Sequence, residues 1–283
     1  MSEKPKILTK KDFLDASGFN GEKEIENIVA FLKDRFEKTP CKKAIIGVSG
    51  GIDSAVSLSL LVRAIGAENI IALTLPYQHI SSIDSIKDST TLCQSLGVKI
   101  FKHGLNQVVD MYFANLLRGQ SNRENIPLRR GNVCARMRMI HLFDYATIFN
   151  GLVVGTENAT ERILGFCTIA GDSASIIEPL IKFHKTEIFE LAKHLGVPAK
   201  IIKKVPSAEL WVGQTDEQEL GFSYWDADRI FLLGGDEIYN ETNEDELIMK
   251  IHNITDISKE EIIKIIKHAR KMKFKLEIPY CYE

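Results

Sequence analysis

The stretch that decides the fold is IIGVSGGIDSAV, which runs from Ile45 to Val56. An apolar run typical of a buried strand meets a Ser-Gly-Gly turn, and a helical pattern of apolar residues follows. The adjacent glycines allow backbone N–H groups to approach an anion closely, and the start of the helix directs its positive end to the same place. The stretch therefore predicts a phosphate-binding loop between a strand and a helix.

Asp53 is unexpected in such a loop, because a bare carboxylate repels phosphate. Its presence is explained if it holds Mg²⁺, which proteins usually bind through one or two carboxylates together with phosphate oxygens. The simpler alternative is that Asp53 only caps the helix. The loop also lacks the lysine that the common nucleoside-triphosphate loop carries.

Strands and helices alternate on both sides of this loop. We predict strands at Ala44–Val48, Ile70–Leu75, Val98–His103 and Leu152–Val154, and helices at Asp53–Ile65, Ser85–Leu96, Asn132–Phe149 and Lys185–Leu195. Such alternation indicates an α/β fold, in which helices cover both faces of a parallel sheet. Ligands in these folds lie beyond the carboxyl ends of the strands, so the loops after Val48, Leu75 and Val154 should share one crevice.

Two segments interrupt the pattern. The polar stretch Arg118–Gly131 and the stretch Pro206–Phe222, which has no clear period, are both predicted to be mobile loops that close over ligands. Residues 1–20 are interpreted as a leader, and residues 225–283 as a helical cap at the end of a single domain spanning 21–283.

The composition excludes several classes of protein. A chain of 283 residues with 45% hydrophobic and 26% charged residues is typical of a globular protein, and its net charge of −2 argues against a nucleic-acid partner. The five cysteines form no CxxC pair, which argues against a disulfide framework and a structural zinc site. No apolar run approaches the length of a membrane span, and the polar N-terminus does not resemble a signal peptide. We therefore expect a cytoplasmic protein without a membrane partner.

The motif SGGxDS after a strand resembles the signature of the N-type ATP pyrophosphatases, which cut ATP between the α- and β-phosphates. Further segments resemble ammonia-dependent NAD synthetases in order and spacing, over roughly residues 25 to 280. These segments are GNVCARMRM (Gly131–Met139), GLVVGTENATERILGFCTIAGD (Gly151–Asp172), FHKTEIFELAKHLGVP (Phe183–Pro198) and PSAELWVGQTDEQELGFSY (Pro206–Tyr224).

The resemblance implies the reaction. The carboxylate of deamido-NAD would be adenylated by ATP, and ammonia would then displace AMP to give NAD and leave pyrophosphate. It also implies Mg²⁺, a five-stranded doubly wound sheet of the Rossmann-like, adenine-nucleotide α-hydrolase-like type, and a homodimer with the substrate site at the interface. The ammonia would be free or supplied by a separate glutaminase.

The resemblance also assigns roles to residues. Asp53, Glu161 and Lys185 are the implied catalytic residues, and Asp53 and Glu161 would hold the metal. The implied ATP-binding residues are Gly47, Val48, Ser49, Gly50, Gly51, Ile52, Asp53, Ser54, Thr156, Lys185 and Ser207. Adenine would lie against the backbone of Leu73 to Leu75. The implied residues for deamido-NAD are Arg136, Asp172 and Lys275, with Arg138 as a competitor of Arg136 that should face another side of its helix.

Two positions depart from the family pattern. Ile169 and Ile176 stand where many members carry a lysine and an aspartate that contact the substrate. A lost bond to a charged partner costs about 1.5–3 kcal/mol if nothing replaces it. Either the backbone and Asp172 bind the nicotinate end instead, or the carboxylate substrate is a different one.

Two other functions share the phosphate loop. A tRNA-modifying ATP pyrophosphatase would usually add catalytic cysteines, a metal cluster or an RNA-binding domain, and none is evident in the sequence. A non-catalytic nucleotide sensor on the same fold would not need the paired carboxylates Asp53 and Glu161. Both alternatives are less favoured than the NAD synthetase reaction.

Overall fold

The computed structural model describes residues 6–77, 81–117, 124–207 and 213–278. Parts of the two predicted mobile loops, residues 118–123 and 208–212, lie outside the described residues, so their mobility and closure stay predictions. The described helices are α1 (Lys10–Ser17), α2 (Gly21–Glu37), α3 (Ile52–Ile65), α4 (Ile83–Ser95), α5 (Asn106–Leu117), α6 (Ile126–Phe149), α7 (Ala159–Ile163), α8 (Lys185–Leu195), α9 (Ala199–Ile202), α10 (Asp216–Leu220), α11 (Tyr224–Gly234), α12 (Glu244–Ile254) and α13 (Lys259–Met272).

The described sheet has four parallel strands in the order β3-β2-β1-β4. They are β1 (Lys43–Gly47), β2 (Ile70–Thr74), β3 (Lys99–Lys102) and β4 (Gly151–Val154). The prediction of five strands is wrong for the described residues. Where a fifth would lie beside β4, a single parallel bridge joins Val154 to Ile177. Pro179 follows two residues later and has no N–H to donate, so the ladder does not continue.

Helices cover both faces of the sheet, as predicted. Ala44 and Ile46 of β1 face a core formed with α2, α3 and α8, whereas Ile45 between them faces a second core formed with α5 and α6. Both faces of the strand are therefore buried, which explains why its sequence is uninterruptedly apolar. The parallel strands direct their carboxyl ends to one edge, where the phosphate loop joins β1 to α3.

Helix α6 begins earlier than the sequence predicted. The last six residues of the predicted loop Arg118–Gly131 are helical, and Pro127 lies in the first turn, where its fixed φ favours a helix start. The polar side chains there suggested a loop, but Arg130 stacks on the ring of Phe113, 4.9 Å from its centroid, and donates to the Tyr77 hydroxyl. These contacts stabilise a polar first turn against α5.

The C-terminal helices form a separate small core. Buried residues of α11, α12 and α13 pack together with Leu164 and Leu220. Part of the leader also packs here, because Phe13 of α1 is fully buried and its ring contacts Trp225 of α11 and His184 at centroid distances of 5.8 Å. Residues 10–17 thus join the C-terminal helices to the N-terminal end of α8. In the described part of the chain, no helix is both long enough and apolar enough to cross a membrane.

Candidate active site

The carboxyl ends of β1, β2 and β4 open on one cavity of about 680 Å³. The predicted crevice therefore exists, and it extends from the phosphate loop to the C-terminal helices. The predicted site residues that line it are Gly47, Val48, Ser49, Gly51, Ile52, Asp53, Ser54, Arg136, Thr156, Glu161, Asp172, Lys185, Ser207 and Lys275. Gly50 does not line the cavity but shapes the turn below it.

The phosphate loop has the conformation that its glycines predict. Gly50 has a φ of +83°, and a Cβ at this position would lie 2.4 Å from the carbonyl oxygen of Ser85. Only glycine fits both the conformation and the close approach of α4. The hydroxyls of Ser49 and Ser54 brace the turn, since Ser49 Oγ accepts from the N–H of Gly51 at 3.1 Å and Ser54 Oγ donates to its carbonyl at 3.0 Å.

Asp53 does not cap helix α3. The N-cap residue is Gly51, which has no side chain, so the first N–H groups of α3 receive no side-chain acceptor from it. The carboxylate of Asp53 instead turns toward the loop after β4. The capping alternative for Asp53 is therefore wrong, and the start of α3 has the donors and the positive dipole end that bind an anion.

Asp53, Glu161 and Lys185 meet at one point. The Lys185 ammonium donates to Asp53 Oδ2 at 2.7 Å and to Glu161 Oε1 at 2.8 Å. Its side chain is only 3% exposed, and its Nζ lies 5.3 Å from the centroid of the Tyr224 ring. The structure thus brings together residues from α3, α7 and α8, although Asp53 lies more than 100 positions before Glu161 and Lys185 in the sequence.

The charges at this point do not balance. Burial raises the pKa of Glu161 to about 8, and the nearby Asp53 adds to that rise, although Lys185 opposes it. Burial alone would lower the pKa of Lys185, but the two carboxylates hold it above its ordinary value. One ammonium therefore faces two carboxylates, and a further positive charge beside them would stabilise the ionised form of Glu161.

A divalent metal ion fits this donor set. Asp53 and Glu161 offer carboxylate oxygens, which Mg²⁺ prefers, and they already converge on a cation. Among the described residues, no group of three or more His, Cys, Asp or Glu side chains could hold a metal by themselves. A metal here would therefore complete its shell with water or phosphate oxygens, as Mg²⁺ does in nucleotide sites.

The end of the cavity that is predicted to bind the substrate, called the substrate end, lies between α6 and the loop after α7. Arg136 Nε donates to the carbonyl of Ile169 at 3.3 Å, and the Lys275 ammonium donates to the carbonyls of Gly165 and Cys167 at 2.5 and 2.7 Å. Asp172 accepts from the N–H of Thr168 at 2.8 Å, which closes the turn between them. Three predicted substrate residues therefore border one loop.

Comparisons with known proteins identify the family of the chain. Residues 24–279 match the family model described as NAD synthase. A relative from Wolinella succinogenes, named NH(3)-dependent NAD(+) synthetase, is 39% identical over 90% of this chain and 93% of its own length. The chain belongs to the NAD synthase family. A relative of the same name from Fusobacterium nucleatum is 38% identical over 91% of this chain and 94% of its own length.

Solved structures of similar proteins share the fold. NMN synthetase from Francisella tularensis superposes with a TM-score of 0.77 and 30% identity, covering 94% of this chain and 99% of its own. The NH3-dependent NAD synthetase from Campylobacter jejuni superposes with a TM-score of 0.73 and 28% identity, covering 94% of this chain and all of its own.

Asn158 belongs to the candidate site by its contacts, although the sequence did not predict it. Its side chain is fully buried and makes two bonds: Nδ2 donates to Asp53 Oδ1 at 2.8 Å, and Oδ1 accepts from the N–H of Glu161 at 3.0 Å. A single amide thus contacts the Asp53 carboxylate and the backbone of Glu161. The available signal was an asparagine in an N-cap position, three residues before a predicted metal ligand.

Arg138 also borders the cavity, but at its other end. Its Nε donates to the carbonyl of Leu75 at 3.2 Å, where β2 ends. It faces a different side from Arg136, as expected, yet it stays within the same cavity on the predicted adenine side. Thr156 also lines the cavity, and Ser207 Oγ donates to the carbonyl of Gln214 at 2.8 Å.

Glu157 and Glu178 form a second pair of carboxyl groups that the sequence did not indicate. Glu178 Oε2 accepts from the N–H of Glu157 at 3.2 Å, and its Oε1 accepts from the Ser175 hydroxyl at 2.6 Å. Burial raises the pKa of Glu178 to about 7. The pair lies behind Gly155, where a Cβ would overlap the carboxyl group of Glu178.

Proposed function

We propose that this protein is a carbon–nitrogen ligase that amidates deamido-NAD to NAD, with ATP and ammonia as the other substrates. The observation that carries the proposal is the convergence of Asp53 and Glu161 on one cation beside the SGGIDS loop. Family membership and the substrate end of the cavity support the same reaction. ATP would lie between the loop and the end of β2, and the substrate carboxylate would lie between Arg136 and Lys275.

The first step would be adenylation. A carboxylate oxygen of the substrate attacks the α-phosphorus, the bond from that phosphorus to the bridging oxygen breaks, and its electron pair leaves with pyrophosphate. The chain's part is to place the two substrates in line and to neutralise the departing charge. The N–H groups at the start of α3 and the Lys185 ammonium would hold the phosphates.

Asp53 and Glu161 would hold Mg²⁺, which when bound supplies positive charge beside the phosphate oxygens. In the second step, ammonia attacks the acyl carbon of the adenylate, the bond to the AMP oxygen breaks, and the nitrogen loses a proton. Water competes with ammonia for the adenylate, so exclusion of water by the cavity walls favours the amide.

One observation favours a second, related substrate. Ile169 lines the cavity at the position where the family resemblance implies a lysine, whereas Ile176, which stands in place of an aspartate, does not line it and is 59% exposed. A solved relative with 30% identity is named NMN synthetase. The same active site would then amidate deamido-NMN, the acid that gives NMN on amidation.

A direct comparison of acceptors tests both candidates. The purified protein is given ATP, Mg²⁺ and ammonium with either deamido-NAD or deamido-NMN, and pyrophosphate release is followed. We expect deamido-NAD to give the higher kcat/KM. A higher value with deamido-NMN would replace the first candidate by the second, and pyrophosphate release with neither would contradict both.

Asp53→Asn should lower kcat at least about 100-fold, because it removes one of the two charges that would hold the metal. The fold should persist, since Lys185 keeps Glu161 as a partner. Asp84→Asn is a matched control, because the side chain of Asp84 is 77% exposed. Full activity of Asp53→Asn would contradict the metal-binding role.

We also propose a homodimer, an ammonia supply and a cellular location. Helices α5 and α6 expose apolar side chains that a second copy would cover, namely Val108, Met111, Tyr112, Leu128, Ile140 and Ile148. Ammonia would be free or provided by a separate glutaminase. Because the reaction consumes ATP and the four described cysteines are free thiols, we expect it to proceed in the cytoplasm.

A further inference from the structure

The end of the cavity at the SGGIDS loop, called the phosphate end, requires more positive charge than Lys185 alone supplies. Asp53 and Glu161 bring two carboxylates to this end, and Lys185 brings one ammonium. The SGGIDS loop itself contains no cationic residue. The pyrophosphate that leaves ATP carries several negative charges, so its binding requires more positive charge than these residues and one divalent ion supply.

Lys204 lies beside the loop, although it is distant in sequence. It follows α9 and precedes Pro206, and it lines the same cavity as Ser49 and Gly51. Its ammonium donates to the hydroxyl of Ser85. Ser85 is 1% exposed, and its carbonyl is the group that makes close contact with Gly50. Ser85 therefore contacts both the Lys204 ammonium and the turn of the phosphate loop at Gly50.

The other cations that line the described cavity are directed elsewhere. Arg136 and Lys275 donate to carbonyls at the substrate end, and Arg138 donates to the carbonyl of Leu75 at the end of β2. Among the described residues that line the cavity, Lys185 and Lys204 are the cationic side chains next to the loop. They contact different helices at this end, because Lys185 donates to Asp53 of α3 and Lys204 donates to Ser85 of α4.

We infer that Lys204 binds the β- and γ-phosphates of ATP and neutralises the departing pyrophosphate, in place of the lysine that the loop lacks. This inference rests on the proposed function. When the bond between the α-phosphorus and the bridging oxygen breaks, the electron pair moves to pyrophosphate, and a fixed ammonium beside it stabilises the new charge. Ser207 lies three residues further along the same segment and lines the same cavity, so this segment would bind the leaving group with two side chains.

Binding of three probes, ATP, pyrophosphate and AMP, tests the inference. Calorimetry with Mg²⁺ and ATP, Mg²⁺ and pyrophosphate, or AMP alone is carried out on the full chain without an acceptor. Lys204→Met should weaken ATP and pyrophosphate binding about tenfold or more, since a charge-assisted bond is lost, and it should leave AMP binding unchanged. Lys203→Met is the matched control, because Lys203 is exposed and adjacent.

The outcomes separate this inference from the proposed function. If the unaltered protein bound ATP and pyrophosphate, and Lys204→Met bound both equally well or lost AMP affinity to the same degree, the role of Lys204 would be wrong. If the unaltered protein bound neither ATP nor pyrophosphate, the proposed function itself would fail. Lys204→Arg keeps the charge and should retain most of the affinity, which excludes a folding defect as the cause of the loss.

Discussion

A neutral residue, Asn158, connects the two acidic residues of the candidate site. Asn158 donates to Asp53 and accepts from the backbone of Glu161, so its amide sets the distance between the two predicted metal ligands. Lys185 occupies the space between their other oxygens. The position of each charged group thus depends on a contact with a different helix.

Substitution of Asn158 should therefore change the response to Mg²⁺. Asn158→Asp keeps an acceptor for the N–H of Glu161 but places a carboxylate against Asp53, and Asn158→Ser keeps a capping oxygen that is too short to reach Asp53. We expect both variants to need about tenfold more Mg²⁺ for half-maximal binding of ATP, because a bond to a charged group is lost. Calorimetric titration with ATP at different Mg²⁺ concentrations measures this dependence. Thermal unfolding of the metal-free protein measures separately the contribution of the N-cap to stability. Unchanged Mg²⁺ dependence in both variants would limit Asn158 to a capping role.

Glu178 should make the stability of the protein depend on pH. Burial raises its pKa from an ordinary value of 4.5 to about 7, so the folded state binds a proton that the unfolded state has released. Its contribution to the free energy of unfolding therefore falls as the pH rises from 4.5 to 7. Glu178→Gln removes this dependence and should be more stable than the unaltered protein above pH 7, by up to roughly 3 kcal/mol.

Urea unfolding at pH 5 and pH 8 measures the effect of Glu178. A glutamine can offer its oxygen to the N–H of Glu157 and its amide to Ser175, so the two contacts are kept in the variant. A stability difference that is the same at both pH values would contradict the raised pKa.

The sequence indicated most of the site residues but not their contacts. Asp53 was predicted because an acid in a phosphate loop is chemically unexpected, and the structure shows that its carboxylate turns to Lys185 and Asn158. Asn158 has only the N-cap signal described above, and Lys204 has no local signal. Their relation to the loop appears only when α4, α7 and α9 are brought to one edge of the sheet.

Among the elements, the turn between β1 and α3 has the strictest requirement for its residues. Gly50 combines a positive φ with a contact to α4 that leaves no space for a side chain. Gly50→Ala should therefore displace the start of α4 and abolish measurable ATP binding. The control Gly196→Ala also has a positive φ, of +73°, but nothing lies within 4 Å of the added Cβ, so it should cost only about 1–2 kcal/mol. Equal ATP affinity in both variants would contradict this account of the loop.

The bounds of the secondary-structure elements were predicted well where the burial of apolar residues alone determines them. The four strands lie within about one residue of their predicted bounds, because each reads as a short apolar run between turn residues. The fifth strand does not form, since Pro179 ends the pairing after one bridge. The early start of α6 depends on contacts of Arg130 with Tyr77 and Phe113, which a sequence pattern does not show.

At the scale of the whole molecule, the apolar surface of α5 and α6 predicts a dimer. Val108, Met111 and Tyr112 share one face of α5, and Ile140 and Ile148 of α6 are 50% and 62% exposed. Ile148→Glu should place a charge in the interface and yield a monomer of 31.9 kDa in sedimentation experiments. Ile83→Glu, on α4 and at a residue 85% exposed, should leave the dimer intact. An unaltered protein that sediments as a monomer would contradict the proposed homodimer.

We propose that the SGGIDS loop and the Asp53–Glu161 pair direct the cleavage of ATP between its α- and β-phosphates. Phosphorus NMR of a reaction with ATP, Mg²⁺, deamido-NAD and ammonium identifies the bond that is cut. We expect AMP and pyrophosphate in equal amounts, formed together with NAD and absent when deamido-NAD is omitted. Formation of ADP and inorganic phosphate, or the same products without an acceptor, would contradict it.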